Sequence, residues 1–141
     1  MQIKTKFFGT VECESKMIFQ FPQGIPGFEA EHRFVLIQPE NSTFSCLQSL
    51  NQEKLAFITV SPFIICPDYT FEIDDEVAAS LELSKPEDAL ILSIVNIPEQ
   101  TPSQTTLNLK APLVLNRVTH LGYQVILNEN YPLRTPLFKE G

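Results

Sequence analysis

At 141 residues with 43% apolar side chains, the chain is large enough for one domain that buries about two-thirds of its unfolded surface without staples. Seventeen acids against ten bases give a formal charge of −7 at pH 7, and the ten cations are scattered, which argues against a groove that grips a nucleic-acid backbone. No apolar run approaches the roughly 18 residues of a membrane span, and MQIKTKFFGTV lacks the apolar stretch of a secretory signal. A cytoplasmic protein without membrane association is therefore expected.

Eleven Pro against five Gly point to short, interrupted extended segments rather than long helices. Residues 2–8 alternate in the period of a half-buried strand, with a turn or bulge at Gly9. Residues 17–21 read as a strand that stops at Pro22, and Pro26-Gly27 within GIPGF suits the centre of a type II turn. That turn carries Ile25, Pro26 and Phe28, which read first as a plug folded back into the core and second as an apolar docking anchor. Strands follow at 33–38, 44–50 and 55–60, then an extended stretch at 69–73 and a short acidic helix that puts Val77 and Leu81 on one face. Residues 89–97 form the most apolar run and read as a central strand. Further strands are expected at 105–109, 113–116 and 123–127, with Pro112 admissible at an edge or bulge.

This pattern predicts a mainly β chain: a small antiparallel β-barrel-like domain with one short helix, a single domain over 1–141 whose extended tail starts at about 128. Cys13, Cys46 and Cys66 are odd in number, form no C-x-x-C pair and lie on or beside apolar stretches, which predicts reduced core thiols.

The charge is concentrated in one place. Residues 68–88 hold Asp68, Glu72, Asp74, Asp75, Glu76, Glu82, Glu87 and Asp88 against Lys85 alone, and the rest of the chain is neutral. Helix caps account for part of this: Asp74 or Asp75 suits an N-cap with Glu76 in the first turn, and Ser84 and Glu87 have the spacing of a capping box. Caps do not explain the missing counter-charges. The run reads either as a merely solvated face or as an electrostatic docking surface.

Signatures of catalysis and of cofactor binding are missing from the sequence. It has no G-x-S-x-G, P-loop, Rossmann glycines or H-E-x-x-H, and His32 and His120 sit beside expected turns outside any catalytic motif. The acidic run lacks the D-x-D-x-D-G loop of a calcium site, so no metal is expected. A non-enzymatic binding module is the first reading. The alternative, a small-molecule-binding or catalytic β-barrel using the acidic 68–88 segment, requires an ionisable side chain among inward-facing apolar positions.

GIPGF at 24–28, LQS at 47–49, AF at 56–57, SPF at 61–63, DY at 68–69, NLKAPLVLN at 108–116, QVIL at 124–127 and YPLRTPL at 131–137, in that order, resemble the bacterial flagellar assembly factor family FliW. Leu107 stands where the family's T-A-N-L run usually has Ala. The resemblance implies a small β-barrel-like regulator that binds the RNA-binding translational repressor CsrA and relieves repression of flagellin synthesis. It also implies that flagellin sequesters such proteins and so frees CsrA. Because CsrA is basic where it grips RNA, Glu72, Asp74, Asp75, Glu76, Glu87 and Asp88 are the residues expected to attract it and to repel phosphates nearby.

Overall fold

A computed structural model describes residues 1–138. Eleven short strands and one helix are found there: β1 (Gln2–Lys4), β2 (Thr10–Glu12), β3 (Ile18–Gln20), β4 (Arg33–Ile37), β5 (Phe44–Ser49), β6 (Ala56–Val60), α1 (Asp75–Ser80), β7 (Ala89–Asn96), β8 (Thr106–Leu107), β9 (Leu113–Asn116), β10 (Gly122–Gln124) and β11 (Thr135–Pro136). All strand pairs are antiparallel.

The main sheet runs β3-β4-β5-β6-β7-β9-β10. Its two ends meet at a bridge between Gln20 and Leu121, where the Gln20 N–H donates to the His120 carbonyl at 2.8 Å. This single parallel bridge brings the two edge strands together and leaves less open edge for pairing with other chains. The mainly antiparallel barrel-like architecture expected from the strand spacing is the one observed.

Two apolar clusters divide the core between them. Phe19, Phe21, Phe34, Leu36, Leu47, Leu92, Leu113 and Leu115 come from successive strands around the sheet and fill the barrel. Val60, Tyr69, Val77, Leu81, Val95, Leu107 and Val114 form the second, which lies over the outside of β7 and β9. Along β7, Leu90, Leu92 and Ile94 face the first cluster while Ala89, Ile91 and Val95 face the second. Side chains on a strand alternate between faces, so a strand covered on both is apolar nearly throughout. This explains the ALILSIV run, in which Ser93 is the one polar residue and is itself buried.

The structure differs from the expected elements in several places. The first strand ends at Lys4 instead of Phe8, because Thr5 turns the chain: its N–H and Oγ1 both donate to the Gly9 carbonyl, at 2.8 and 2.7 Å. Phe7 and Phe8 are exposed at the tip of this hairpin. The 69–73 stretch joins no sheet among the described residues. The tail packs on its own domain. β11 pairs with β8, and the Leu109 N–H donates to the Pro132 carbonyl at 3.2 Å; residues 139–141 of the expected tail lie outside the described residues.

At the barrel seam Gly122 lies against Phe21, and a Cβ there would stand 2.5 Å from the ring. Phe21 is fully buried and edge-on to Phe34 at 5.5 Å, so it has little room to retreat. Gly122→Ala is expected to destabilise the protein by about 1–3 kcal/mol, as overpacking does. Urea denaturation measures it, and a midpoint equal to that of the parent would contradict the close seam.

Candidate functional site

The candidate site lies where the 61–91 region crosses the outside of the barrel. Tyr69 anchors it. Its hydroxyl donates to the Leu109 carbonyl at 2.6 Å, and its ring meets Phe63, Phe71 and Tyr131 at centroid distances of 5.9, 5.4 and 4.7 Å. Burial pushes the Tyr69 phenol well above its ordinary range, and the neighbouring Tyr131 and Glu129 add to the effect.

Beyond Tyr69 the strip 70–73 is held from the C-terminal segment by side chains. The Thr70 N–H donates to the Tyr131 hydroxyl at 3.1 Å, that hydroxyl donates back to the Thr70 carbonyl at 2.9 Å, and the Glu72 N–H donates to Glu129 Oε2 at 3.1 Å. These bonds do for one edge of the strip what a neighbouring strand would otherwise do.

Helix α1 follows. Asp74 is its N-cap, with Oδ1 accepting from the Val77 N–H at 3.0 Å, and Asp75 and Glu76 occupy the first turn, all as expected. Val77 and Leu81 are buried together. At the other end the Leu83 N–H donates to the Ala78 carbonyl and the Glu82 N–H to the Ala79 carbonyl, a Schellman closure with Glu82 at φ +52°. Buried Asn116 completes the cap: its Nδ2 donates to the Leu81 carbonyl at 2.8 Å, and Thr119 Oγ1 adds a bond at 3.1 Å. The expected capping box of Ser84 and Glu87 does not form. Lys85 takes the cap position of a three-residue 3-10 turn, Pro86–Asp88, and no side chain caps it, because so short a turn leaves few amides to satisfy.

Two hollows flank the 70–73 strip. On one side is an open, mainly apolar trough of about 760 Å³, with Phe71, Ile73, Leu83, Leu90 and Ile91 in its lining and Lys85 and Arg117 as its charged residues. On the other is a wider cleft of about 1040 Å³ whose charged lining is Glu72, Asp74, Asp75 and Glu129.

The expected docking residues are therefore partly assembled. Glu72, Asp74 and Asp75 share the cleft, and Glu76 is exposed on the adjoining helix turn. Glu87 is exposed and Asp88 half-buried on the Pro86–Asp88 turn, in the lining of neither hollow. Glu129 was missing from the expectation; it sits in a neutral tail stretch, and only the fold brings it to Glu72. The ion pairs found among the described residues are Met1–Glu12 and Lys16–Glu14, so the acidic segment has no salt-bridged counter-charge there.

The GIPGF turn closes as expected, with Gly27 at φ +92° and the Phe28 N–H donating to the Ile25 carbonyl at 2.7 Å. Ile25 is 1% exposed and belongs to the barrel core, which removes it from any docking surface. Pro26 is exposed, and Phe28 stands half out of the surface edge-on to Phe57. None of the three lines the trough or the cleft. The cysteines are free thiols, with Cys13 and Cys46 buried and Cys66 half-buried.

The model of the FliW protein family matches residues 2–137. The chain belongs to the FliW family. It is similar to the flagellar assembly factor FliW of Oceanobacillus iheyensis, at 39% identity covering all of this chain and 99% of that protein. The corresponding factor of Caldicellulosiruptor bescii is 41% identical, over 97% of this chain and 90% of the relative. A crystal structure of the flagellar assembly factor FliW superimposes with a TM-score of 0.90 at 39% identity, over 99% of this chain and 98% of the other. The FliW relatedness accounts for the shared β-rich architecture. No helix among the described residues is long and apolar enough to cross a membrane, and no cluster of three or more His, Cys, Asp or Glu there is arranged to hold a metal ion.

Two measurements check this construction. Asp74→Ala removes the cap of α1 and is expected to cost about 1 kcal/mol in thermal or urea denaturation, whereas Asp74→Asn keeps an acceptor and most of the stability. Alkaline pH is the second. Burial pushes the Cys46 thiol up to about 11, with Lys6 opposing, and Tyr69 is also raised. The folded state thus holds these protons more tightly than the unfolded chain does. The stability from this source is complete below the ordinary thiol value of 9.0 and is lost as pH rises towards 11. The urea midpoint should fall through that window, and less steeply in Cys46→Ala; a midpoint flat with pH would contradict the burial.

Proposed function

We propose that the protein is a cytoplasmic regulator of flagellar assembly that binds the translational repressor CsrA, prevents it from repressing flagellin synthesis, and is itself sequestered by flagellin. Secretion of flagellin then releases the regulator, and translation resumes. The family match over residues 2–137 is the observation that carries this reading.

The acidic cleft supplies a physical route to antagonism. Carboxylates without salt-bridged partners attract a basic protein from a distance and raise its rate of encounter. Once docked, the same groups repel RNA phosphates within about 8 Å at physiological salt. Glu72, Asp74, Asp75 and Glu76 act from the cleft and the adjoining helix turn, and Glu87 and Asp88 extend the field beyond Lys85. Pro26 and Phe28 are a separate, smaller apolar contact on the GIPGF turn.

The alternative of a ligand held inside the barrel gains no support. The interior is filled by the Phe, Leu and Ile side chains of the first cluster. The buried carboxylate Glu31 is bonded at the barrel's end, accepting from Gln52 Nε2 at 2.6 Å and from Ser49 Oγ at 3.3 Å.

Calorimetric titration with CsrA at low and physiological salt, repeated after saturation with flagellin, tests the reading. Binding that weakens with salt and disappears with flagellin is expected. Changing the six carboxylates to Asn and Gln should weaken CsrA binding by about tenfold or more at low salt, since each exposed charge contributes a fraction of a kcal/mol. Unchanged binding by that variant would remove the cleft from the mechanism, and failure of the parent to bind CsrA would remove the mechanism itself.

A further inference from the structure

The two hollows on either side of the 70–73 strip have opposite electrostatic character. The cleft is lined by four carboxylates and no cation, whereas the apolar trough is lined by Lys85 and Arg117 and no carboxylate. Both cations are exposed, and neither takes part in the ion pairs found among the described residues. The Arg117 main-chain N–H donates to the Asp88 carbonyl at 2.9 Å, which ties the backbone at the rim to the start of β7. On a chain with a formal charge of −7, the charges in the lining of this apolar trough are positive, and Glu87 and Asp88 stand next to them on the Pro86–Asp88 turn, outside the lining.

We propose that this trough docks an amphipathic helix of a partner protein, with its apolar face on Phe71, Ile73, Leu83 and Ile91 and carboxylates at the edge of that face paired with Lys85 and Arg117. The trough is open to solvent rather than enclosed, and its apolar lining with two cations beside it suits the apolar face and charged edge of a surface-laid helix. The floor is built of half-buried apolar side chains, and exposed Phe63 stands at its lip. Charge selects the occupant. An acidic-edged helix meets Lys85 and Arg117 in the trough and is repelled from the cleft behind the strip, while a basic helix has the reverse preference.

This inference rests on the reading of the 61–91 face as a protein-binding surface, and it adds a second, separately addressed site. The two sites share the 70–73 wall, so an occupant that shifts Phe71 or Ile73 also disturbs the backbone that carries Glu72.

The test uses two synthetic amphipathic peptides with the same leucine face, one edged with Glu and the other with Lys, titrated by fluorescence anisotropy against the intact protein. The Glu-edged peptide is expected to bind more tightly. Lys85→Glu with Arg117→Glu should weaken it by about tenfold and move the preference towards the Lys-edged peptide. Both positions are exposed, so the fold is expected to survive, and circular dichroism with the urea midpoint checks it. Equal affinity for the two peptides, or no loss in the double variant, would overturn the assignment. So would binding of dodecanoate in the absence of any peptide binding, which would mark a small-molecule site. CsrA titration of the same double variant separates the two ideas: retained CsrA binding without peptide binding by the parent refutes the trough alone.

Discussion

The structure depends on burying β7 from both sides. This strand pairs with β6, β8 and β9, turns Leu92 into the barrel and presents Ile91 and Val95 to the outer cluster. A one-residue slip would exchange the two faces, turning Leu90, Leu92 and Ile94 out of the barrel and Ile91 and Val95 into it. The filled barrel is thus a rigid base against which Tyr69, Val77 and Leu81 are pressed. The outer layer exists because β7 and β9 offer an apolar outer face that water would otherwise touch.

That outer layer is where the barrel acquires a means of recognition. The 70–73 strip has no strand partner among the described residues and is fixed by Tyr131 and Glu129 from the C-terminal segment. An element held by three side-chain bonds opens more readily than one held by a ladder, so the wall between the trough and the cleft is the part of the face best able to respond to an occupant. The strip separates apolar contact from long-range charge in a few residues. Its carboxylates remain solvated, where they steer partners without the desolvation cost that a buried ion pair carries.

Much of the fold was legible because it rests on local rules. Asp74 caps α1 because a carboxylate three residues before an amide reaches it in any protein, and Pro26-Gly27 turns because proline and glycine suit the two central conformations of that turn. The strands were placed nearly where they lie, since alternation and proline report local burial. The errors have local causes as well. Thr5 diverts the first strand by bonding Gly9, and a three-residue turn leaves Ser84 and Glu87 nothing to cap.

The sequence by itself determined the barrel-like class, the helix, the concentration of negative charge in 68–88 and the family. Those properties depend on composition, on spacing within a few residues, and on motifs in order along the chain. Only the tertiary structure decided that Ile25 is core while Phe28 emerges, that Glu129 stands beside Glu72, and that Arg117 and Lys85 border one trough. It also decided the seam at Gln20 and Leu121, about which neither local sequence says anything. The reason is common to all four. Each is set by how segments far apart in the chain approach one another, and that approach is governed by closure of the sheet and packing of two cores, which no single stretch of residues specifies.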